Sequence, residues 1–218
     1  GLAISIDARG GGLFGHLSWH LGLFELHAGN LEGGLRLYTE AFCADDHRGA
    51  IHQKLSDSAA FLWRSELAGH PRDPARWGRL KDYAREKLPR PGMSLADWHV
   101  ALTYAATGDD DALDGWIRAI EELAAAGRYP SGSVIPTVAR GFAAYQRGDY
   151  AATIDLIEPM LPERERIGGS RAQGDLVEAT LMQAYLASGR DAEARRLAAE
   201  RRKGPARLAV TGIEGTVA

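Results

Sequence analysis

Apolar residues recur with a helical period through most of the chain. Leu31, Leu35, Tyr38 and Phe42 form one stripe, and Leu113, Trp116, Ile117, Ile120 and Ala124 form a second. Tyr150, Ile154, Ile157 and Leu161 make a third, and Val177, Thr180, Leu181, Ala184 and Tyr185 a fourth. Residues at i, i+3, i+4 and i+7 share one helix face, whereas a half-buried strand needs alternation, and no stretch sustains that. The stripes are interrupted at Gly29, Gly69, Gly108, Gly148 and Gly189, which recur at steps of about 40 residues, the range of helical-hairpin repeats. Each glycine follows one apolar segment and precedes another, where a residue without a side chain suits the left-handed turn that ends a helix.

The pattern predicts helix pairs at 13–28/31–43, 56–68/74–88, 95–107/110–126, 133–147/149–161 and 171–188/190–203. Asp109, Asp149 and Asp191 stand where second helices begin, at the positive end of the helix dipole. Pro130, Pro136, Pro159 and Pro162 fall near helix ends, where a missing N–H does least harm. A hairpin cannot bury its apolar face alone, so neighbours stack and share a core. The expected fold is therefore all-α, a right-handed α-solenoid of about five tetratricopeptide-like hairpins. It spans 13–204, with tails at 1–12 and 205–218, and its first helices line a concave surface.

Composition narrows the function classes. A net charge of -3 over 218 residues argues against a protein built for the nucleic-acid backbone. No apolar run approaches the roughly 20 residues that span a bilayer, so no membrane partner is expected. Cys43 is the only cysteine, which removes an internal disulfide and a cysteine-based zinc site and suits a reducing cytoplasm. It is expected to be a buried thiol. The abundance of Ala, Arg and Gly points to a GC-rich bacterial gene. No cofactor fingerprint is present.

The candidate chemistry lies on first helices. His16 and His20 are spaced i, i+4 around Trp19, a spacing that could offer two ligands to one metal. A third would have to come from another repeat, with His99 the best candidate, and packing is the expected role, so no metal is predicted. Trp19-His20 and Trp98-His99 recur at the same distance before Gly29 and Gly108, and the intervening repeat carries Ala60 at the histidine position. A histidine there could act as general acid or base, while the plain structural account is packing. Asp97 either orients His99 or caps its helix. Arg64 lies within the apolar segment FLWRSEL, with Asp57 upstream in the same motif; a snorkelling arginine or an ion pair is the ordinary explanation. Ser170 with Gln173 is a capping-box pattern, and the same helix start beside Arg171 offers N–H groups to a carboxylate or phosphate. Arg195, Arg196, Arg201, Arg202, Lys203 and Arg207 form a basic run that reads as a solvated end cap.

Four motifs occur in order: HLSWHLGLFELHAGNLEGGLRLY at 16–38, DSAAFLWRSELAG at 57–69, LADWHVAL at 95–102 and GGSRAQGDL at 168–176. From about residue 13 to about residue 200 the chain thereby resembles the tetratricopeptide repeat protein 38 family, as its C-terminal part or a shortened relative. Ala96 and Gly174 stand where that family usually has Asn and Arg. The resemblance implies a repeat scaffold and leaves the activity open.

The expected function is a scaffold that binds a peptide, a protein partner or a small anionic ligand on its concave face. The alternative is an enzyme of bacterial specialised metabolism. Its catalytic residues would be His20, Asp97 and His99. His16, Trp19, Arg64, Trp98, Ser170, Arg171 and Gln173 would bind the ligand.

Overall fold

The computed structural model describes residues 13–44 and 49–200. The helices are α1 (Phe14–His27), α2 (Leu31–Leu37), α3 (Ile51–Leu67), α4 (Pro74–Lys87), α5 (Ser94–Ala106), α6 (Asp110–Ala125), α7 (Val134–Gln146), α8 (Tyr150–Ile157), α9 (Arg171–Ala187) and α10 (Asp191–Glu200). A π-helical turn, Tyr38–Phe42, extends α2, and a 3-10 stretch, Glu158–Ile167, extends α8. No strand occurs among the described residues. The tails at 1–12 and 205–218, and the basic residues Arg201, Arg202, Lys203 and Arg207, lie outside the described residues.

The five glycines all occupy the left-handed region, with φ from 64° at Gly108 to 90° at Gly69. Each closes the same pair of bonds. At the first, Gly29 N–H donates to Leu26 O (3.1 Å) and Asn30 N–H to Glu25 O (2.8 Å); at the last, Gly189 N–H donates to Leu186 O (3.0 Å) and Arg190 N–H to Tyr185 O (2.8 Å). These bonds satisfy the carbonyls that a helix end would leave bare. The next helix starts at once, and Asn30, Asp109 and Asp149 cap α2, α6 and α8 by accepting from backbone N–H groups.

Two segments depart from the periodicity. α3 begins at Ile51 rather than 56, because nothing after Gly49 breaks the helix and the extra turn can be solvated. Beyond Ile157, Pro159 and Pro162 lack N–H donors, and the chain tightens into the 3-10 stretch instead of continuing α8 to 161.

Burial divides the helices into two layers. The inner helices α3, α5, α7 and α9 bury most of their residues, and α5 buries every residue from Ala96 to Ala106, whereas α1 at the edge buries only Gly15, Ser18, Trp19, Gly22 and Leu26. Outer helices bury one stripe, as α6 does with Leu113, Trp116, Ile117 and Ile120. The first helices pack in series, α1 on α3, α3 on α5, α5 on α7 and α7 on α9. α9 also packs on α3. Trp63 Nε1 donates to Thr180 Oγ1 (2.9 Å), and Gln183 Nε2 donates to Leu67 O (2.8 Å). The surface between these two helices is thus filled by their own side chains.

Glycine substitutions separate backbone strain from packing. A Cβ at Gly108 would meet nothing within 4 Å, so Gly108→Ala carries only the left-handed φ, an expected loss of about 1–2 kcal/mol. Gly115, inside α6 and near only the tip of Arg118, should gain about 0.5–1 kcal/mol on replacement by Ala. Urea unfolding of both variants checks the opposed signs.

Candidate functional site

Four first helices converge at Arg64. Its side chain is buried. The guanidinium donates to Ala60 O at 3.2 Å within α3 and to Ala172 O in the first turn of α9. It also lies 5.7 Å from the Trp19 ring of α1, a cation–π contact. Its charge acts on His20 of α1 and on His99 of α5.

On α1, the i, i+4 spacing brings His16 and His20 together with ring centroids 4.7 Å apart, edge to face. Trp19 is buried behind them, 5.2 Å from His16 and 4.7 Å from His20. Both imidazoles are half-buried. His16 Nδ1 meets both oxygens of the fully buried Asp57, at 3.0 and 3.2 Å. That bond raises the pKa of His16, and the Asp57 charge adds to it against the cost of burial. His20 moves the other way: burial lowers it first and the charge of His16 lowers it further, against an opposing pull from Asp57, and Arg64 adds a smaller lowering. Neighbouring imidazoles are thereby pushed apart in proton affinity, the condition that separates an acid from a base.

His99 is fully buried, and its pKa is pushed down to about 3, chiefly by desolvation. Its Nδ1 lies 2.6 Å from Leu95 O, so Nδ1 carries the hydrogen and Nε2 the lone pair. That Nε2 and the indole N–H groups of Trp19 and Trp98 are buried without a hydrogen-bond partner among the described residues. Trp98 stacks between His99 and Phe142, with centroids 3.4 and 6.0 Å away.

Asp97 does not orient His99. Its Oδ2 accepts from Tyr129 Oη (2.7 Å) and Gly92 N–H (3.0 Å), so it ties the start of α5 to the loop after α6. Ser170 caps α9 in a full capping box, with Ser170 N–H donating to Gln173 Oε1 at 2.8 Å. Arg171 pairs with Asp175 at 3.6 Å, along its own helix. The predicted residues therefore divide. His16, Trp19, His20, Arg64 and His99 gather in one place. Asp97, Ser170, Gln173 and Arg171 make helix-start contacts, and Trp98 packs in the core. Cys43 is half-buried, not buried: it lies between the buried Phe42 and Ala44, but its thiol donates to the carbonyl of the exposed Thr39 (3.5 Å). Among the described residues no group of three or more His, Cys, Asp or Glu is arranged to hold a metal ion, and no helix is long and apolar enough to cross a membrane.

The sequence singled out Asp57 beside Arg64 but gave no sign of its bond to His16, which lies on another helix. The earlier start at Ile51 places Asp57 mid-helix, two turns before Arg64. A cleft of about 340 Å³ elsewhere has an apolar floor of Leu31, Leu35 and Leu62. Its charges are engaged with one another: Glu66 accepts from Trp77 Nε1 (2.6 Å) and from Arg72 Nε (2.9 Å).

Asp97 supplies a test by pH. Burial lifts its pKa from 3.8 to about 6, so the folded chain keeps a proton that the unfolded chain has released. Its contribution to stability is full below pH 3.8 and is lost as the pH rises to about 6. Asp97→Asn should remove that part of the decline, read as the difference in denaturation midpoint between variant and parent at several pH values. A constant difference across the window would contradict the assignment.

No known family model matches this chain, and no solved structure matches it.

Proposed function

We propose that the chain is a right-handed α-solenoid of tetratricopeptide-like hairpins, related to the tetratricopeptide repeat protein 38 family, that binds a small anionic ligand at His16 and His20. The observation that carries this reading is the Asp57–His16 bond. It holds a half-buried imidazole by Nδ1, and Nε2 is a second donor when the ring is protonated. Charge-assisted donors of this kind favour carboxylate or phosphate oxygens. The Arg64 charge nearby adds to the positive potential. The packing of α9 on α3 favours a small ligand over a long peptide, since side chains already fill the surface between those helices.

The same bond favours a second reading, an enzyme in which His16 is a general acid or base oriented by Asp57. Turnover lost in Asp57→Asn with ligand binding retained would support it.

Arg64 and His99 are too buried to test binding cleanly, because replacing either also disturbs the core. His16→Asn is the informative variant. Calorimetric titration with acetate, succinate and phenyl phosphate at pH 6 should show binding by the parent and about tenfold weaker binding by the variant, the scale of one charged hydrogen bond. Parent affinity should fall as the pH rises through the raised His16 pKa, above 6.5. Affinity unchanged in the variant would overturn the reading.

A further inference from the structure

We propose that the ligand of the His16–His20 cluster is a dianion, whose second negative charge is met by a proton that His20 takes up on binding. The inference rests on the anion-binding reading and narrows it to a chemical class.

The geometry supplies two donors in one place. The rings of His16 and His20 meet at 76° with centroids 4.7 Å apart, so neither covers the other and both stay partly accessible. Trp19 walls the cluster from behind and is itself buried. Two imidazoles this close repel when both are charged, so protons enter the pair in two unequal steps. Asp57 decides which ring charges first, because it bonds His16 and not His20. A bound monoanion faces the imidazolium of His16. A second negative charge on the ligand reverses the balance at the neighbouring ring and draws a proton to His20.

Among the described residues, three charged groups act on His20. His16 lies on its own helix, and Asp57 and Arg64 come from α3. α2 and the 38–42 turn also pack on α1, and their Glu32, Arg36 and Glu40 are not among the causes of the His20 shift. His99 of α5, near Arg64, stays neutral in this range. The pKa of His20, below the ordinary 6.5, leaves the ring neutral at pH 7.5 and ready to accept the proton.

The test is calorimetry at pH 7.5 in two buffers of different ionisation enthalpy, with succinate, propionate and phenyl phosphate as probes. The expected result is a dianion binding roughly tenfold tighter than propionate, the scale of one added charged contact, with net proton uptake. Comparing succinate with phenyl phosphate tells a dicarboxylate from a phosphate monoester. In His20→Asn and His20→Gln, checked for an unchanged helical circular dichroism spectrum, both the preference and the His20 share of the uptake should vanish. Succinate, phenyl phosphate and propionate binding equally, or dianion binding with the same proton uptake in parent and variants, would overturn this inference and leave the anion-binding reading standing. Absence of binding by all three anions would overturn both.

Discussion

A guanidinium keeps its charge wherever the chain places it, so burying one obliges the surroundings to supply oxygen atoms and negative potential. Arg64 sits in the middle of the inner helix layer under this constraint. Carbonyl oxygens come from Ala60, one turn back on its own helix, and from Ala172, far along the chain. The second demand holds the start of α9 against α3. Trp63 and Gln183 then make further bonds along the same contact. The α3–α9 packing, the burial of the inner helices and the placing of His99 beside the same charge all follow from that arrangement.

The histidines divide by burial. His99 lies wholly inside the core, neutral and held by the Leu95 carbonyl. His16 and His20 stand at the edge of the same region and stay partly exposed. Asp57 lies under one of the two and not the other, so near-identical side chains one turn apart acquire opposite tendencies. The recurrence of Trp-His in the first and third hairpins conceals this difference, because equal spacing before a glycine does not mean equal depth in the packing.

The hairpin organisation was legible because it is written locally. The period of the apolar stripes and the glycine turns are short-range features. With the π turn counted to α2, the helix ends fall within one residue of their predicted places, apart from the start of α3, the end of α8 and the end of α10 at Glu200, the last described residue. The two misplaced ends have short-range causes as well, an unbroken polar turn before α3 and two prolines after α8. The candidate site was legible only in part. The gathering of His16, Trp19, His20, Arg64 and His99 followed from their common placement on first helices. The partners did not, because they come from other elements: Asp57 for His16, and Tyr129 for Asp97. A capping pattern explains Ser170 and Gln173 fully, and sequence alone could not tell that helix start from an anion site.

In an ordinary repeat array each unit touches only its neighbours, and order can spread from any point along it. The bond from Trp63 to Thr180 spans 117 positions and joins the second hairpin to the fifth. That closure makes the described hairpins a single cooperative unit, whose assembly must pay for a long loop before its contacts form. Shortening the chain from its C-terminal side by one hairpin would not leave a smaller stable array. It would strip the cover from the most polar part of the interior, and the second hairpin would feel the loss as well as the fourth.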